Sequence, residues 1–281
     1  MTSHVSPVLY GLMTEEINYS YDGGLYAELI RNRNFKEDAK DPAHWQLVEE
    51  RGGAGSISLD SSRALNGAIP ASLKLTVTQA SGDQRVGVAN DGFWGIPVRP
   101  DTPYRASFYA KAAPGFAGPL TVAIVSAAMV SNDGATVQTS AQVPRVTQDW
   151  KKYDVTLTTT GKAAPSAENR LVISAASPGA VWLNMVSLFP PAWNNRPNGN
   201  RKDIMQLLAD MKPAFLRFPV AFQDRRDETG LAGCFERPTS GRHLVQDRSE
   251  SEDVRAGVGF FPFQLLGRHV LQGAENGAIG R

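Results

Sequence analysis

The 281-residue chain has one cysteine, Cys234, so no intrachain disulfide can form. Its four histidines, His4, His44, His243 and His269, stand at no metal-ligand spacing with one another or with that thiol. Gly23-Gly24 is not followed by Gly-Lys-Ser/Thr, so it is not a phosphate loop. A Gly-X-Ser-X-Gly nucleophile elbow is also missing. The spacing therefore points to no metal site. Twenty-nine basic residues against 28 acidic ones leave a net charge of +1, too even for a surface that holds nucleic acid or a membrane by charge. No apolar run approaches the length of a membrane span. The N-terminus has no basic segment followed by an apolar one, so either the protein is intracellular or a leader is absent from the chain.

What is present is enough apolar residue, 42%, for a sizeable core. From His44 onward, short runs rich in Val, Leu, Ile, Thr and aromatics alternate with Gly, Pro, Asn and Asp clusters. The predicted strands are His44–Val48, Ser56–Leu59, Ala71–Val77, Arg85–Asn90, Pro103–Lys111, Leu120–Ser126, Thr136–Gln142, Lys151–Thr158, Asn169–Ser174 and Val181–Phe189. Ser72 to Val77 alternates with period two. Ser81-Gly82-Asp83, Pro114-Gly115, Asn132-Asp133-Gly134 and Ser177-Pro178-Gly179 supply turns between the runs. Many short strands at this spacing point to a β-sandwich or jelly roll.

The pieces on either side read differently. Leu9 to Phe35 opens with a short apolar run, places Glu15 and Glu16 side by side, turns at Asp22-Gly23-Gly24 and continues into a helix-like segment, Leu25 to Asn32, with Leu25 and Leu29 one turn apart. Beyond the strands, Ile204, Leu207, Leu208 and Met211 have the spacing of an amphipathic helix that Asn198 or Asn200 can cap and Pro213 stops. Ala214 to Pro219 then reads as a short buried strand. The order β, α, long β insertion, α, β implies one α/β domain interrupted by a sandwich.

Chemistry could reside in few places. Acids at the C-terminal end of a barrel strand are site candidates, and a solvated acidic turn is the plain alternative. Retaining glycoside hydrolysis needs two carboxyls about 5–5.5 Å apart. Glu15 and Glu16 are neighbours in sequence and would point to opposite faces of a strand, so they do not form such a pair; one of them can accept hydrogen bonds from a sugar. Arg217, inside an apolar run, is either a donor to the same sugar or half of a structural salt bridge. Trp94 and Trp45 are candidates for stacking on a sugar face, whereas Trp150 and Trp182, inside strand patterns, read as core.

Leu9 to Arg33 (LYGLMTEEINYSYDGGLYAELIRNR) also resembles the opening of the family 51 glycoside hydrolases, the α-L-arabinofuranosidases. Leu188 to Pro219 resembles the same family's return into its barrel, and the strands between resemble an inserted family 4-like carbohydrate-binding module. The fold this implies is mainly β, a jelly-roll β-sandwich inserted into the start of a (β/α)8 barrel that is incomplete in this chain. The implied division is a first βα unit over 1–43, the sandwich over 44–189, a return helix and second barrel strand over 190–219, and an aberrant or poorly ordered tail over 220–281. The resemblance implies a retaining enzyme, secreted or periplasmic, that removes arabinofuranosyl groups from arabinoxylan or arabinan without a cofactor. It places substrate-binding roles on Glu15 and Arg217; Glu16, Asn18 and Trp94 complete the candidate substrate-binding set. It assigns no catalytic residue, because the family's acid/base and nucleophile glutamates follow on later strands. After Pro219 the family's Gly-Gly is replaced by Val220-Ala221, which suggests an altered reading frame. A portion inactive alone is thus the first expectation, a stand-alone carbohydrate-binding module the second, and a structural sandwich without sugar affinity the third.

Overall fold

The computed structural model describes residues 6, 9–15, 19–116, 118–126 and 135–217. Glu16, Asn18, the Asn132-Asp133-Gly134 turn, Phe218-Pro219 and the tail with Cys234 lie outside the described residues. The described residues fall into two compact units, one built from 19–212 and one from the N-terminal piece with 213–217.

Numbered along the chain, the strands are β1 (Leu12–Met13), β2 (Gln46–Glu50), β3 (Ala54–Asp60), β4 (Ser72–Gln79), β5 (Arg85–Asn90), β6 (Pro103–Ala112), β7 (Leu120–Ser126), β8 (Val137–Val143), β9 (Lys151–Thr158), β10 (Asn169–Ala175), β11 (Gly179–Phe189) and β12 (Leu216–Arg217). Ten of them, β2 to β11, build the large unit as two five-stranded antiparallel sheets. Their orders are β2-β5-β10-β7-β8 and β3-β4-β11-β6-β9. The mainly β sandwich expected from the sequence is therefore present, with every predicted run falling on one strand.

Period-two patterning explains the layers. In β4, Leu73, Leu75 and Val77 are buried in the main core, while Lys74 and Thr76 between them are half-buried. Other strands of the same sheet add Tyr104, Phe108, Leu157, Val181 and Leu183, and the facing sheet adds Val86, Val88, Val122 and Ile124. Each such side chain contributes about 1.5–3 kcal/mol on burial. Central β10 is buried along its whole length. Its Leu171, Ile173 and Ala175 join the main core, and Val172 packs with Val48, Ala89, Ala123 and Val125 in a second, smaller cluster.

The structure corrects the helix-like reading of Leu25–Asn32. A single irregular turn, Tyr21–Leu25, broken by the extended Asp22 and by Gly23 at φ 81°, leads into extended chain. The backbone N–H groups of Ala27 and Leu29 donate to the carbonyls of Gly199 and Leu188. Long-range partners thus take the donors a helix would use, and the four-residue spacing of Leu25 and Leu29 carries no helical face.

The predicted helix near the end of this unit is present as α1 (Lys202–Asp210). Its N-cap is Arg201, with no side-chain cap bond, rather than Asn198 or Asn200. Asp203 occupies the first turn, where a negative charge suits the helix dipole. The buried residue of α1 is Met205, whereas Leu207 of the predicted apolar stripe is 65% exposed.

In the small unit, β1 and β12 pair in parallel, Leu12 opposite Leu216 and Met13 opposite Arg217. The Thr14 N–H extends the ladder by donating to the Arg217 carbonyl.

Candidate functional site

Two places bring predicted site residues together with polar chemistry. One is the parallel ladder. In register, Met13 and Arg217 share a face, and alternation puts Glu15, two residues beyond Met13, toward that same face. Both Glu15 and Arg217 are exposed. Glu16 and Asn18 follow directly in the chain but lie outside the described residues.

The other is an aromatic edge on the sandwich unit. Trp94 is 69% exposed, on the loop that follows β5. Its indole N–H donates to the Gly23 carbonyl at 3.0 Å. Tyr19 meets it edge-on with ring centroids 6.0 Å apart and lies 5.7 Å from Phe93. The loop holding Trp94 is fixed from below by Asn90. The Asn90 side-chain amide donates to the carbonyls of Arg31 and His44, and its oxygen accepts from the N–H groups of Arg31 and Gly92. Gly95 at φ 83° keeps the loop against Ala167, whose carbonyl oxygen is 2.0 Å from where a Cβ would stand.

Beside Trp94 opens a cleft of about 420 Å³ that also takes in Tyr26, Glu28, Arg99, Thr102, Arg201 and Lys202. This is the size range of small-ligand sites. Glu28 is buried at its floor. It accepts from the N–H groups of Ile30 and Leu188 and from the Ser187 hydroxyl, and it forms an ion pair with Arg33 at 3.4 Å. Burial pushes its carboxyl above the usual range, against the pull of Arg33 and those donors. Burial likewise raises Asp22, opposed by Arg33, and raises the Tyr26 phenol, with the Glu28 charge adding to the effect.

Three of the other tryptophans are otherwise employed. Trp45 is buried against Phe35 and donates to the Asn32 carbonyl. Trp182 is buried as expected, but it stands on the sheet face turned away from the main core. It pairs in register with Lys74 and Lys111 there, and its indole donates to Asp60 at 2.8 Å. Trp150 is half-buried and donates to the Ala64 carbonyl. Sequence reasoning missed Tyr19, Tyr26, Glu28, Arg99 and Arg201. They come from separate stretches of chain, and no local motif marks them. Among the described residues no group of three or more His, Cys, Asp or Glu could hold a metal.

Comparison with known proteins places this geometry. A family model described as "Carbohydrate binding domain" matches residues 27–175, and the chain belongs to that family. More particularly, the chain corresponds to the N-terminal part of a family 51 glycoside hydrolase carrying a family 4-like module. It is 36% identical over 219 residues to a probable α-L-arabinofuranosidase A of Aspergillus flavus, covering 76% of this chain and 33% of the relative. An extracellular exo-α-L-arabinofuranosidase of Streptomyces chartreusis is 36% identical over 222 residues, covering 76% of this chain and 24% of that one. The arabinose-bound MgGH51 α-L-arabinofuranosidase superposes with a TM-score of 0.66 at 35% identity, covering 75% of this chain and 34% of that structure. The chain thus spans about a third of the length of the curated relatives from Aspergillus.

Proposed function

We propose that the chain is the glycan-engaging N-terminal portion of a secreted, retaining α-L-arabinofuranosidase acting on arabinoxylan or arabinan. The observation that carries this is the parallel β1–β12 pairing, which joins residues from the two ends of the described chain and sets Met13 opposite Arg217. Such strand ends are where a barrel collects its site. Glu15 then accepts hydrogen bonds from furanose hydroxyls, and Arg217 donates to the same sugar; Glu16 and Asn18, close by in sequence, complete the proposed substrate-binding set. The names of the relatives support the arabinofuranoside assignment, and the name of the Streptomyces relative supports secretion. In this reading residues 44–189 are the carbohydrate-binding sandwich and Trp94 is its exposed stacking surface.

Binding groups alone supply neither a nucleophile nor an acid, so the 281-residue chain binds without turnover. The test uses a chromogenic arabinofuranoside and soluble arabinoxylan. The expected result is no release of chromophore and retardation in an arabinoxylan gel that Trp94→Ala weakens. Turnover that survives purification and is lost in Glu15→Ala would move the chemistry into this chain. Absence of retardation would remove the glycan reading of the sandwich.

The second reading, a non-catalytic binding module, is favoured by the self-contained core of residues 19–212 and by the family match over 27–175.

A further inference from the structure

The cleft beside Trp94 carries more positive charge than a neutral sugar requires. Of its acids, Glu28 is held by Arg33, Ser187 and two backbone N–H groups. Asp203 is gripped bidentately by Arg201, at 3.1 and 2.6 Å. Those pairings leave the guanidinium of Arg99 and the ammonium of Lys202. Both are exposed, both line the cleft, and neither forms an ion pair among the described residues. The aromatic wall is oriented by its own hydrogen bond, since the Trp94 indole is tied to Gly23. The Tyr104 hydroxyl in the same cleft is already engaged: it donates to the Pro97 carbonyl and accepts from the Arg99 backbone N–H.

An apolar ring face beside two uncompensated cations matches a ligand with an apolar ring face and an anionic substituent. Resting on the glycan reading above, we propose that this cleft selects a uronic-acid-bearing sugar of the polysaccharide. The ring stacks on Trp94, and the carboxylate is received by Arg99 and Lys202. A neutral pentose can use the stacking wall but leaves both cations without a partner.

The experiment is calorimetric titration of the full chain with two probes: a xylo-oligosaccharide carrying one glucuronic acid, and the same oligosaccharide without it. The acidic probe is expected to bind about five- to tenfold more tightly at low ionic strength, the scale of one or two exposed charge contacts. That preference should shrink in 0.5 M salt and in Arg99→Gln and Lys202→Gln. Both substitutions are at exposed side chains, and an unchanged thermal midpoint verifies the fold. Trp94→Ala should weaken both probes alike. Equal affinity for the two probes, both lost in Trp94→Ala, would overturn the uronic-acid assignment and leave the glycan reading standing. Binding unaffected by Trp94→Ala, or no binding of either probe, would remove the glycan reading of this cleft together with the inference.

Discussion

The Trp94 indole and the Gly23 carbonyl meet at 3.0 Å across 71 residues of chain. This hydrogen bond ties the turn that follows the first strand to the loop that leaves β5, and so fixes the only exposed tryptophan among the described residues.

Gly23→Ala should loosen that tie. Its φ of 81° is costly for any side chain, and a Cβ would stand 2.5 Å from the Phe93 ring. The expected loss is about 1–3 kcal/mol in thermal unfolding, with weaker arabinoxylan retardation and unchanged far-ultraviolet circular dichroism. Full retention of retardation would show that the orientation of Trp94 is immaterial.

Asn90→Ala removes four hydrogen bonds at once and leaves buried backbone groups around Arg31, His44 and Gly92 without partners. The expected destabilisation is about 2–4 kcal/mol by denaturant titration. Because Asn90 precedes the Trp94 loop, glycan retardation should fall with it; a variant with native stability would contradict the clamp.

Glu28 gives a pH dependence of definite sign. Its folded-state value is raised above the ordinary 4.5, burial being the largest cause. The native state therefore holds a proton more tightly than the unfolded chain does. The resulting stability is fully present below pH 4.5 and is lost as pH rises through the folded value. Glu28→Gln cannot ionise, so the advantage of the native protein over this variant should be largest near pH 4 and shrink toward pH 8. Thermal midpoints of both proteins across that range test it; an advantage that grows with pH would reverse the assignment.

Ile173→Ala, on the central strand of one sheet, should cost about 2–5 kcal/mol, because a fully buried side chain leaves a cavity that β5 and β7 cannot close. Hydrogen exchange should report the loss across the whole large unit rather than at one edge.

The strands were legible because alternation and turn residues act locally: Arg85–Asn90, Leu120–Ser126 and Lys151–Thr158 were read to their ends. Leu25–Asn32 was not, since its hydrogen-bond partners lie about 160 residues away, beyond the reach of any pattern within the segment. Glu28 was invisible for the same reason. In sequence it is one acid among Leu25, Tyr26, Ala27, Leu29 and Ile30 with no motif around it, and only the fold encloses it with Ser187 and Leu188. The α1 spacing gave the helix correctly but not its buried face, which packing decides: Met205 is covered, and Leu207 is not. The adjacency of the two short strands next to Glu15 and at Arg217 was legible in the sequence, and β1 and β12 do pair, whereas the cationic cleft could be assembled only in three dimensions.

The stitching of Leu25, Tyr26 and Ala27 to Gly199, Asn200 and Arg201 has a consequence for the order of assembly. Pairing β1 with β12 directly would close a loop of roughly 200 flexible residues, an entropic cost of about 5 kcal/mol that a two-residue ladder does not offset. Once the sandwich has formed, its two chain exits lie side by side, and only two short tethers remain to be ordered. During synthesis β1 leaves the ribosome first, yet it must wait for the whole sandwich to emerge before its partner exists. The sandwich is thus also an assembly jig, and damage to its core should be felt at a ladder that contains none of its residues.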